Sequence, residues 1–325
     1  MSNRPHAPGP AYSVVVPVHN ARLWLRAAVE SVLAQDFTEF ELILVDDGST
    51  DGGIGTVADV ADPRLIVLSQ PNAGAGPARN AGAAHARGGW IAFLDADDLW
   101  LPDHLAELDR IRRAFADAGL IGTAWASMRG APPADVRTAG ALREIDYLAA
   151  VGREGVPIRT SSIAIEAGLF ASLGGFGAFP SGQDSELWVR AALAAPVAAS
   201  SRVTCLYRTA TGGITDRKRT GLRPPRALPD LSPAVATLMD AYPGLDPARR
   251  ASADLFIARY LSWWIEAAAG RGDVETVRAL GRLHRATPPP LDWLLMAAAG
   301  LPQPLARTAH RIALGGTRAL RTLRR

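Results

Sequence analysis

The chain has 325 residues, of which 48% are hydrophobic and 21% charged, and its formal net charge is +3. This length accommodates one large α/β domain with an appendage, or two modest domains. A single cysteine, Cys205, excludes internal disulfides and is typical of a reducing compartment. The first residues lack the apolar core of a signal peptide, and no stretch reaches the roughly 18 apolar residues of a spanning helix, so we expect a cytoplasmic protein.

Short apolar runs alternate with helical patterns over the first two thirds of the chain. The runs are YSVVVPVH (12–19), FELILVDD (40–47), RLIVLSQ (64–70) and WIAFLDAD (90–97). Continuous apolar strands of this kind need cover on both faces, which favours parallel pairing. We therefore predict an α/β fold with a doubly wound, mostly parallel central sheet and helices on both faces.

Polar residues follow each of these runs, where the strands end. In a doubly wound sheet, ligands bind beyond the carboxyl ends of the strands. A turn or a helix cap is the ordinary explanation for any one such residue, but four polar strand ends together indicate a binding crevice. The residues are Pro17, His19 and Asn20, then Asp46 and Asp47, then Asn72, then Asp95 and Asp97.

The fourth run ends in three aspartates, Asp95, Asp97 and Asp98, separated by Ala96. In an extended strand, residues i and i+2 lie on the same side about 6.5–7 Å apart, so Asp95 and Asp97 can face one site. Their mutual repulsion is relieved by a divalent cation, and Mg²⁺ or Mn²⁺ suits a site that has few protein ligands and bridges phosphates. The alternative is a cluster that caps the next helix, and we expect Asp98 to have that role.

Four segments carry a resemblance to a known family. VVVPVHN, FELILVDDGSTD, NAGAGPARNAGAAHARGGWIAFLDADD and GGFGAFPSGQDSELWVRAA occur in this order. Across residues 12–215 the chain resembles family 2 glycosyltransferases with the A-type, nucleotide-sugar-binding fold. The resemblance implies a nucleotide-diphosphate-sugar donor and Mg²⁺ or Mn²⁺.

The resemblance also implies roles for individual residues. Asp95 and Asp97 match the metal-binding Asp-x-Asp, with Asp97 the more direct ligand, and Asp184 matches the catalytic base. The implied donor-binding set is Pro17, His19, Asn20, Asp46, Asp47, Asn72, Arg79, Asp95, Ala96 and Arg208. The implied acceptor side contains Trp100, Ser161 and Gln183.

The base assignment also follows from the chemistry of the reaction. An acceptor hydroxyl must lose its proton as it attacks the anomeric carbon, and a positioned carboxylate can take it. One base and one leaving-group clamp suffice for a single displacement, which predicts inversion. The other interpretation of Asp184 is an N-cap for the helix that follows it.

Two positions depart from the family pattern. Gln183 stands where a glutamate is common, and Thr209 or Ala210 stands where a histidine often follows the Tyr-Arg pair. Both changes remove groups that could act near the metal, so we predict weak or donor-dependent metal affinity. Arg208 would then carry more of the neutralisation of the diphosphate.

The domain prediction has four parts. Residues 1–11 form a flexible N-terminus, and residues 12–219 form the catalytic domain, with a donor part (12–100) and an acceptor part (101–219). Residues 220–234 are a proline-marked linker, and residues 235–325 are helical. The basic, amphipathic end of the last region suits either an anionic membrane surface or solvent, and the region packs on the catalytic domain or on a second subunit of a homodimer.

These observations predict an inverting, metal-dependent glycosyltransferase of bacterial polysaccharide or cell-envelope biosynthesis, with a glycan, lipid-linked or small-molecule acceptor. Two alternatives stay open. One is a noncatalytic nucleotide-sugar-binding or scaffold protein at the membrane surface. The other is a sugar nucleotidyltransferase, although the first strand lacks the Gly-rich basic loop expected of that class. No spacing of histidines indicates zinc, and no module indicates nucleic acid.

Overall fold

The computed structural model describes residues 9–130, 140–155, 157–209 and 228–270, with the single positions 273, 275, 276 and 280. Several predictions therefore lie outside the described residues. They concern most of the flexible N-terminus, position 210, most of the linker, and the basic amphipathic end of the chain.

The predicted strands are present, and further strands follow them. The strands are β1 (Tyr12–Val18), β2 (Phe40–Asp47), β3 (Leu65–Gln70), β4 (Trp90–Phe93), β5 (Leu99–Trp100), β6 (Leu120–Met128), β7 (Leu142–Ile145), β8 (Ile163–Glu166) and β9 (Val197–Arg208). The helices are α1 (Leu25–Leu33), α2 (Ala75–His85), α3 (His104–Ala114), α4 (Tyr147–Glu154), α5 (Ala167–Ser172), α6 (Gln183–Ala194), α7 (Pro233–Ala241) and α8 (Pro247–Gly270).

The described strands form one mixed sheet in the order β3-β2-β1-β4-β8-β6-β9-β5, with β7 paired to β9. The first four strands pair in parallel, as the apolar runs predict. Strand β8 then runs antiparallel to both β4 and β6, while β6 and β9 are parallel. The parallel half brings the carboxyl ends of β1 to β4 to one edge of the sheet.

Helices cover both faces of the sheet, and β1 shows why. Val14 and Val16 are fully buried in a core cluster that includes Val29 of α1. Val15 points the other way, where a Cβ added to Gly82 of α2 would come within 2.4 Å of its Cγ1. Successive strand residues face opposite sides, so an uninterrupted apolar run needs a helix on each side. The predicted α/β fold with helices on both faces is confirmed, and the described sheet is mixed, with four parallel and four antiparallel strand pairs.

An aromatic cluster packs against Phe93 of β4. The Phe93 ring contacts Phe176 at 5.1 Å and Phe170 at 5.9 Å between ring centres. Trp188 of α6 packs edge-on against Phe176 at 5.7 Å. This packing holds α6 and the loop before it against the sheet.

The chain divides into two compact units, one of Met1–Tyr147 with Val156–Thr220, the other of Leu148–Gly155 with Gly221–Arg325. In the second unit, α7 begins after Ser232, whose hydroxyl accepts a hydrogen bond from the Val235 amide. The Trp264 indole of α8 donates to the Leu231 carbonyl at 2.9 Å. None of the described helices combines the length and apolar character needed to cross a bilayer.

Candidate active site

The ends of the first three strands meet around His19. The ring nitrogen Nδ1 of His19 lies 2.8 Å from the Asp47 carbonyl oxygen. The amide of Asn72, beyond β3, lies 3.1 Å from the same ring. Asn20 has a left-handed backbone (φ 53°), and its Oδ1 accepts a hydrogen bond of 2.8 Å from the Thr50 amide. The structure thus brings together the polar residues that the sequence placed at separate strand ends.

Asp47 supports the glycine-rich turn before α2. Its carboxylate is 2% exposed and accepts hydrogen bonds of 2.8 Å from the Gln70 side chain and the amides of Ala73 and Gly74. Asp46 is only partly buried and accepts from the Ser49 amide at 3.0 Å. Pro17 precedes this edge on β1 and is partly buried. Direct donor contacts by these residues remain predictions.

Arg79 projects from α2 to the acidic turn that follows β4. Its Nη2 donates to Asp95 Oδ1 at 2.5 Å, and its guanidinium lies 5.3 Å from the centre of the Phe176 ring. Arg79 is 6% exposed, and its buried Nε has no hydrogen-bond partner within the described chain. A positive charge therefore stands beside the site predicted to bind diphosphate.

The three aspartates of the turn have different surroundings. Asp95 and Asp97 are partly exposed, whereas Asp98 is fully buried. The Asp98 carboxylate accepts from Ser161 Oγ at 2.5 Å and from the Arg208 amide at 2.8 Å. Burial and the neighbouring charges of Asp95 and Asp97 raise the pKa of Asp98 to about 8.

The expectation that Asp98 caps a helix is wrong. Helix α3 begins at His104, and its N-cap residue is Asp103, whose side chain makes no capping bond. Asp98 instead ties the turn to β9 through the Arg208 amide. Of the three aspartates, only Asp95 and Asp97 are partly exposed.

A 3-10 turn, Thr160–Ser162, connects the acidic turn with Asp184. Ser161 Oγ accepts from the Asp95 amide at 3.1 Å and donates to Asp98. The adjacent Thr160 donates its hydroxyl to Asp184 Oδ2 at 3.2 Å. The sequence analysis missed Thr160, because its partners are far away along the chain and a threonine before two serines carries no motif.

Asp184 lies in the first turn of α6, and the alternative interpretation of Asp184 as the N-cap of this helix is wrong. The N-cap is Gly182, with a left-handed backbone (φ 76°). Asp184 Oδ1 accepts from the Ser185 amide at 2.8 Å. A carboxylate offers about four acceptor positions, so both oxygens keep capacity for a further proton donor.

The starts of α2 and α6 lie against each other. A Cβ added to Gly76 would be 3.5 Å from Cγ of Gln183. The Asn80 side chain donates to the Phe176 carbonyl at 2.9 Å and accepts from the Phe176 amide at 2.8 Å. Gln183 is partly buried at this junction, next to Asp184.

Arg208 is enclosed by protein contacts. It is 8% exposed, its Nε donates to the Asp97 carbonyl at 2.9 Å, and its guanidinium lies 4.4 Å from the centre of the Trp24 ring. The next residue, Thr209, donates its hydroxyl to the Met128 carbonyl at 3.2 Å. Thr209 therefore does not supply the ligand that a histidine could supply there.

The structure corrects the prediction that Trp100 and Ser161 face the acceptor. Trp100 is 4% exposed and Ser161 is 1% exposed. The Trp100 indole donates to the Ser161 carbonyl at 2.6 Å, and its ring stacks on His104 with centres 4.1 Å apart. Both side chains are buried and hold the 3-10 turn, so neither presents a surface to a sugar. Ala96, 7% exposed, offers little more than backbone.

Asp95 and Asp97 suit a hard divalent cation that completes its shell from elsewhere. In the part of the chain that the structure describes, no group of three or more histidine, cysteine, aspartate and glutamate side chains could hold a metal by itself. Mg²⁺ in nucleotide sites is commonly bound by one or two carboxylates together with substrate phosphates and water. Two partly exposed carboxylates beside a buried arginine fit that kind of ion.

Comparisons with known proteins support these observations. The model of the family described as "Glycosyl transferase family 2" matches residues 13–117. The succinoglycan biosynthesis protein ExoO of Rhizobium meliloti is 43% identical over 108 residues, covering 33% of this chain and 30% of ExoO. The putative teichuronic acid biosynthesis glycosyltransferase TuaG of Bacillus subtilis is 42% identical over 99 residues, covering 30% of this chain and 39% of TuaG.

The matches to curated relatives thus span about a third of those proteins. A crystal structure of TarS residues 1–349 from S. aureus, in complex with UDP-GlcNAc, covers much more of the chain. It aligns with 94% of this chain and 92% of its own, with a TM-score of 0.66 and 20% identity. That likeness shows the fold. Residues 13–117 are thus similar to glycosyl transferase family 2, and the chain has the fold of the TarS structure.

Proposed function

We propose that the protein transfers a sugar from a nucleotide-diphosphate donor to an acceptor hydroxyl, with inversion at the anomeric carbon. The observation that carries this proposal is the 3-10 turn Thr160–Ser162. Through Ser161 it holds the acidic turn, and through Thr160 it holds Asp184. A clamp for the leaving group and a base for the nucleophile are thereby held by neighbouring residues.

Asp184 acts as the general base in this proposal. Thr160 Oγ1 and the Ser185 amide each donate to one of its oxygens and orient the carboxylate. The acceptor hydroxyl gives its proton to Asp184 as its oxygen attacks the anomeric carbon and the bond to the diphosphate breaks. Attack opposite the leaving group in one step inverts the configuration.

The donor diphosphate lies at the acidic turn in this proposal. Asp95 and Asp97 would hold Mg²⁺ or Mn²⁺, which supplies stabilisation of the negative charge on the departing diphosphate. Arg79 contributes a fixed positive charge from α2, already placed beside Asp95 at 2.5 Å. Arg208 holds the turn itself through the Asp97 carbonyl.

The cellular role that we propose is polysaccharide or cell-envelope assembly in a bacterium, in the cytoplasm or on the inner face of the membrane. Its support is that two relatives are described as succinoglycan and teichuronic acid biosynthesis proteins. The acceptor can be a glycan, a lipid-linked sugar or a small molecule.

The test replaces Asp184 by Asn, which keeps the size and loses the basicity. We expect release of nucleoside diphosphate from the donor to fall about 10²–10⁴-fold, while nucleotide binding changes less than twofold. Asp59→Asn is the matched control, because Asp59 is an exposed carboxylate in the same unit that pairs with Arg26. The anomeric configuration of the product, read by NMR, tests inversion.

Three results would contradict the proposal. Unchanged turnover in Asp184→Asn would show that Asp184 is not the general base. Retention of the anomeric configuration in the product would require a second displacement. Donor binding without turnover in the wild type would favour the noncatalytic scaffold.

A further inference from the structure

Arg159 packs against two aromatic rings beside the candidate active site. Its guanidinium carbon lies 3.9 Å from the centre of the Trp125 ring and 4.1 Å from that of Tyr207. Trp125 and Tyr207 come from the paired strands β6 and β9, and their rings meet edge to face at 6.1 Å. A cation over an aromatic face is attracted by the ring, so two rings restrict the position of this guanidinium.

Within the described residues no carboxylate forms an ion pair with Arg159, and its buried Nε has no hydrogen-bond partner. Arg64 provides a contrast, since its guanidinium lies 4.3 Å from the centre of the Phe40 ring and also pairs with Asp62 at 2.8 Å. Burial of an unpaired charge costs free energy, so a site of this kind favours an incoming anion.

The position of Arg159 links it to the reacting groups. Arg159 directly precedes Thr160, which donates to Asp184 at 3.2 Å. Tyr207 directly precedes Arg208, which donates to the Asp97 carbonyl at 2.9 Å. Arg159 and Tyr207 are thus each adjacent in sequence to a residue that holds the base or the acidic turn.

The two rings leave part of the guanidinium uncovered. Their centres are 6.1 Å apart and their planes are inclined by 74°, so they lie on adjacent sides of the guanidinium and not on opposite faces. Arg159 is only partly buried, so part of the guanidinium is open to a ligand. In-plane donors of an arginine bind carboxylate or phosphate oxygens in pairs.

We propose that Arg159 binds an oxyanion, a phosphate or a carboxylate, carried by the acceptor. The proposal rests on the proposed glycosyl transfer and deepens it by assigning the acceptor to the anionic class. Binding of that anion at Arg159 presents the acceptor hydroxyl to Asp184. The donor diphosphate is bound separately, at Arg79 and the acidic turn.

The experiment follows the arginine Nε–H signals of the full-length, ¹⁵N-labelled protein by NMR, with the Arg159 signal assigned from its loss in Arg159→Lys. Glycerol phosphate and glucuronate are titrated as probes, with glucose as the neutral control. We expect one or both anions to shift the Arg159 signal saturably, and glucose to leave it unchanged. The probe that binds more tightly shows whether the anion of the acceptor is a phosphate or a carboxylate. The Arg64 signal is the matched control, because that guanidinium is already paired, and it should not shift.

A second arm measures binding of UDP, GDP, dTDP and CDP with Mg²⁺ to the wild type and to Arg159→Lys. We expect the affinity for the bound nucleotide to change less than twofold, since Lys keeps the charge and the donor lies elsewhere. A loss of tenfold or more would overturn the proposal by assigning Arg159 to the donor. Absence of an anion-induced shift, or an equal shift at Arg64, would also overturn it. Anion binding at Arg159 without any nucleotide binding would instead refute the proposed function, and the acceptor role with it.

Discussion

Thr160 and Ser161 are adjacent residues that hold different parts of the candidate site. The Thr160 hydroxyl contacts Asp184, whereas the Ser161 hydroxyl contacts Asp98 and the Asp95 amide. Neither hydroxyl touches a reacting atom in the proposed mechanism. Each therefore acts by positioning another residue, and the two should be separable by substitution.

Thr160→Val removes the hydrogen bond to Asp184 and nearly preserves the side-chain shape. A hydrogen bond to a charged group contributes about 1.5–3 kcal/mol, so we expect turnover to fall by roughly ten- to a hundredfold. Nucleotide affinity should stay within twofold. Thr160→Ser, which restores the hydroxyl, should recover most of the turnover, and a failure to recover would show that the methyl group matters instead.

Ser161→Ala should lower stability and metal-dependent nucleotide binding, whereas Thr160→Val should lower turnover. The change leaves the buried Asp98 without one of its donors, which costs about 1–3 kcal/mol of unfolding free energy, and it frees the Asp95 amide. We expect a lower melting temperature together with weaker metal-dependent nucleotide binding. Unchanged binding in a folded variant would show that Ser161 does not position the acidic turn.

Some of these residues can be predicted from the sequence and others cannot, for physical reasons. Asp95 and Asp97 can be predicted as site residues because two like charges at the end of an apolar strand repel each other unless a ligand neutralises them. Trp100 was expected at the acceptor, and nothing in its local sequence shows that His104 and the Ser161 carbonyl enclose it. The role of Asp98 depends on Ser161 and Arg208, whose approach is a matter of tertiary structure.

At the scale of elements, the apolar runs predict β1, β2 and β4 well because these strands are buried, whereas β3 lies at the edge of the sheet and is only partly buried. Strand β8 is harder, since its antiparallel pairing with β4 and β6 reflects the path of the chain between them. The composition of α2 predicts its close packing on the sheet, because small residues such as Gly82 allow the helix backbone to approach the strands.

Gly82→Ala tests that close approach. A new Cβ would lie 2.4 Å from Val15 Cγ1 and 3.1 Å from Val45 Cγ2, so the helix must shift away from β1 and β2. Alanine favours a helix by about 0.5–1 kcal/mol, but overpacking costs about 1–3 kcal/mol, and we expect a net loss of stability. Denaturant unfolding of the full chain measures it.

Gly55→Ala is the matched control. A Cβ at Gly55 would meet nothing within 4 Å, and the residue has no left-handed backbone. We expect its unfolding free energy to stay within about 0.5 kcal/mol of the wild type. Equal effects of the two substitutions would mean that contact with Val15 does not limit the packing of α2.

At the scale of the whole molecule, His104 makes stability depend on pH. Complete burial lowers the pKa of His104 to about 3, and its neighbours are the Thr204 hydroxyl and the Trp100 ring. The unfolded chain takes up a proton near pH 6.5 while the folded chain does not. Stability is therefore retained above pH 6.5 and lost as pH falls below it.

His104→Gln should reduce the loss of stability that occurs as pH falls. Between pH 7.5 and pH 5, a histidine that stays neutral when folded costs about 2 kcal/mol of unfolding free energy. We expect the variant to lose about that much less over the same range, measured by urea unfolding at both pH values. An identical pH dependence in the two proteins would show that His104 becomes protonated without unfolding.

The central claim is that the strand ends and the acidic turn form a metal-dependent nucleotide clamp. The most direct test is calorimetric titration of UDP, GDP, dTDP and CDP, with and without Mg²⁺ or Mn²⁺, into the wild type and Asp97→Ala. We predict that at least one nucleotide binds, that metal strengthens its binding, and that Asp97→Ala weakens the metal-dependent binding at least tenfold. No binding by any of the four, or binding indifferent to both metal and Asp97, would contradict the account.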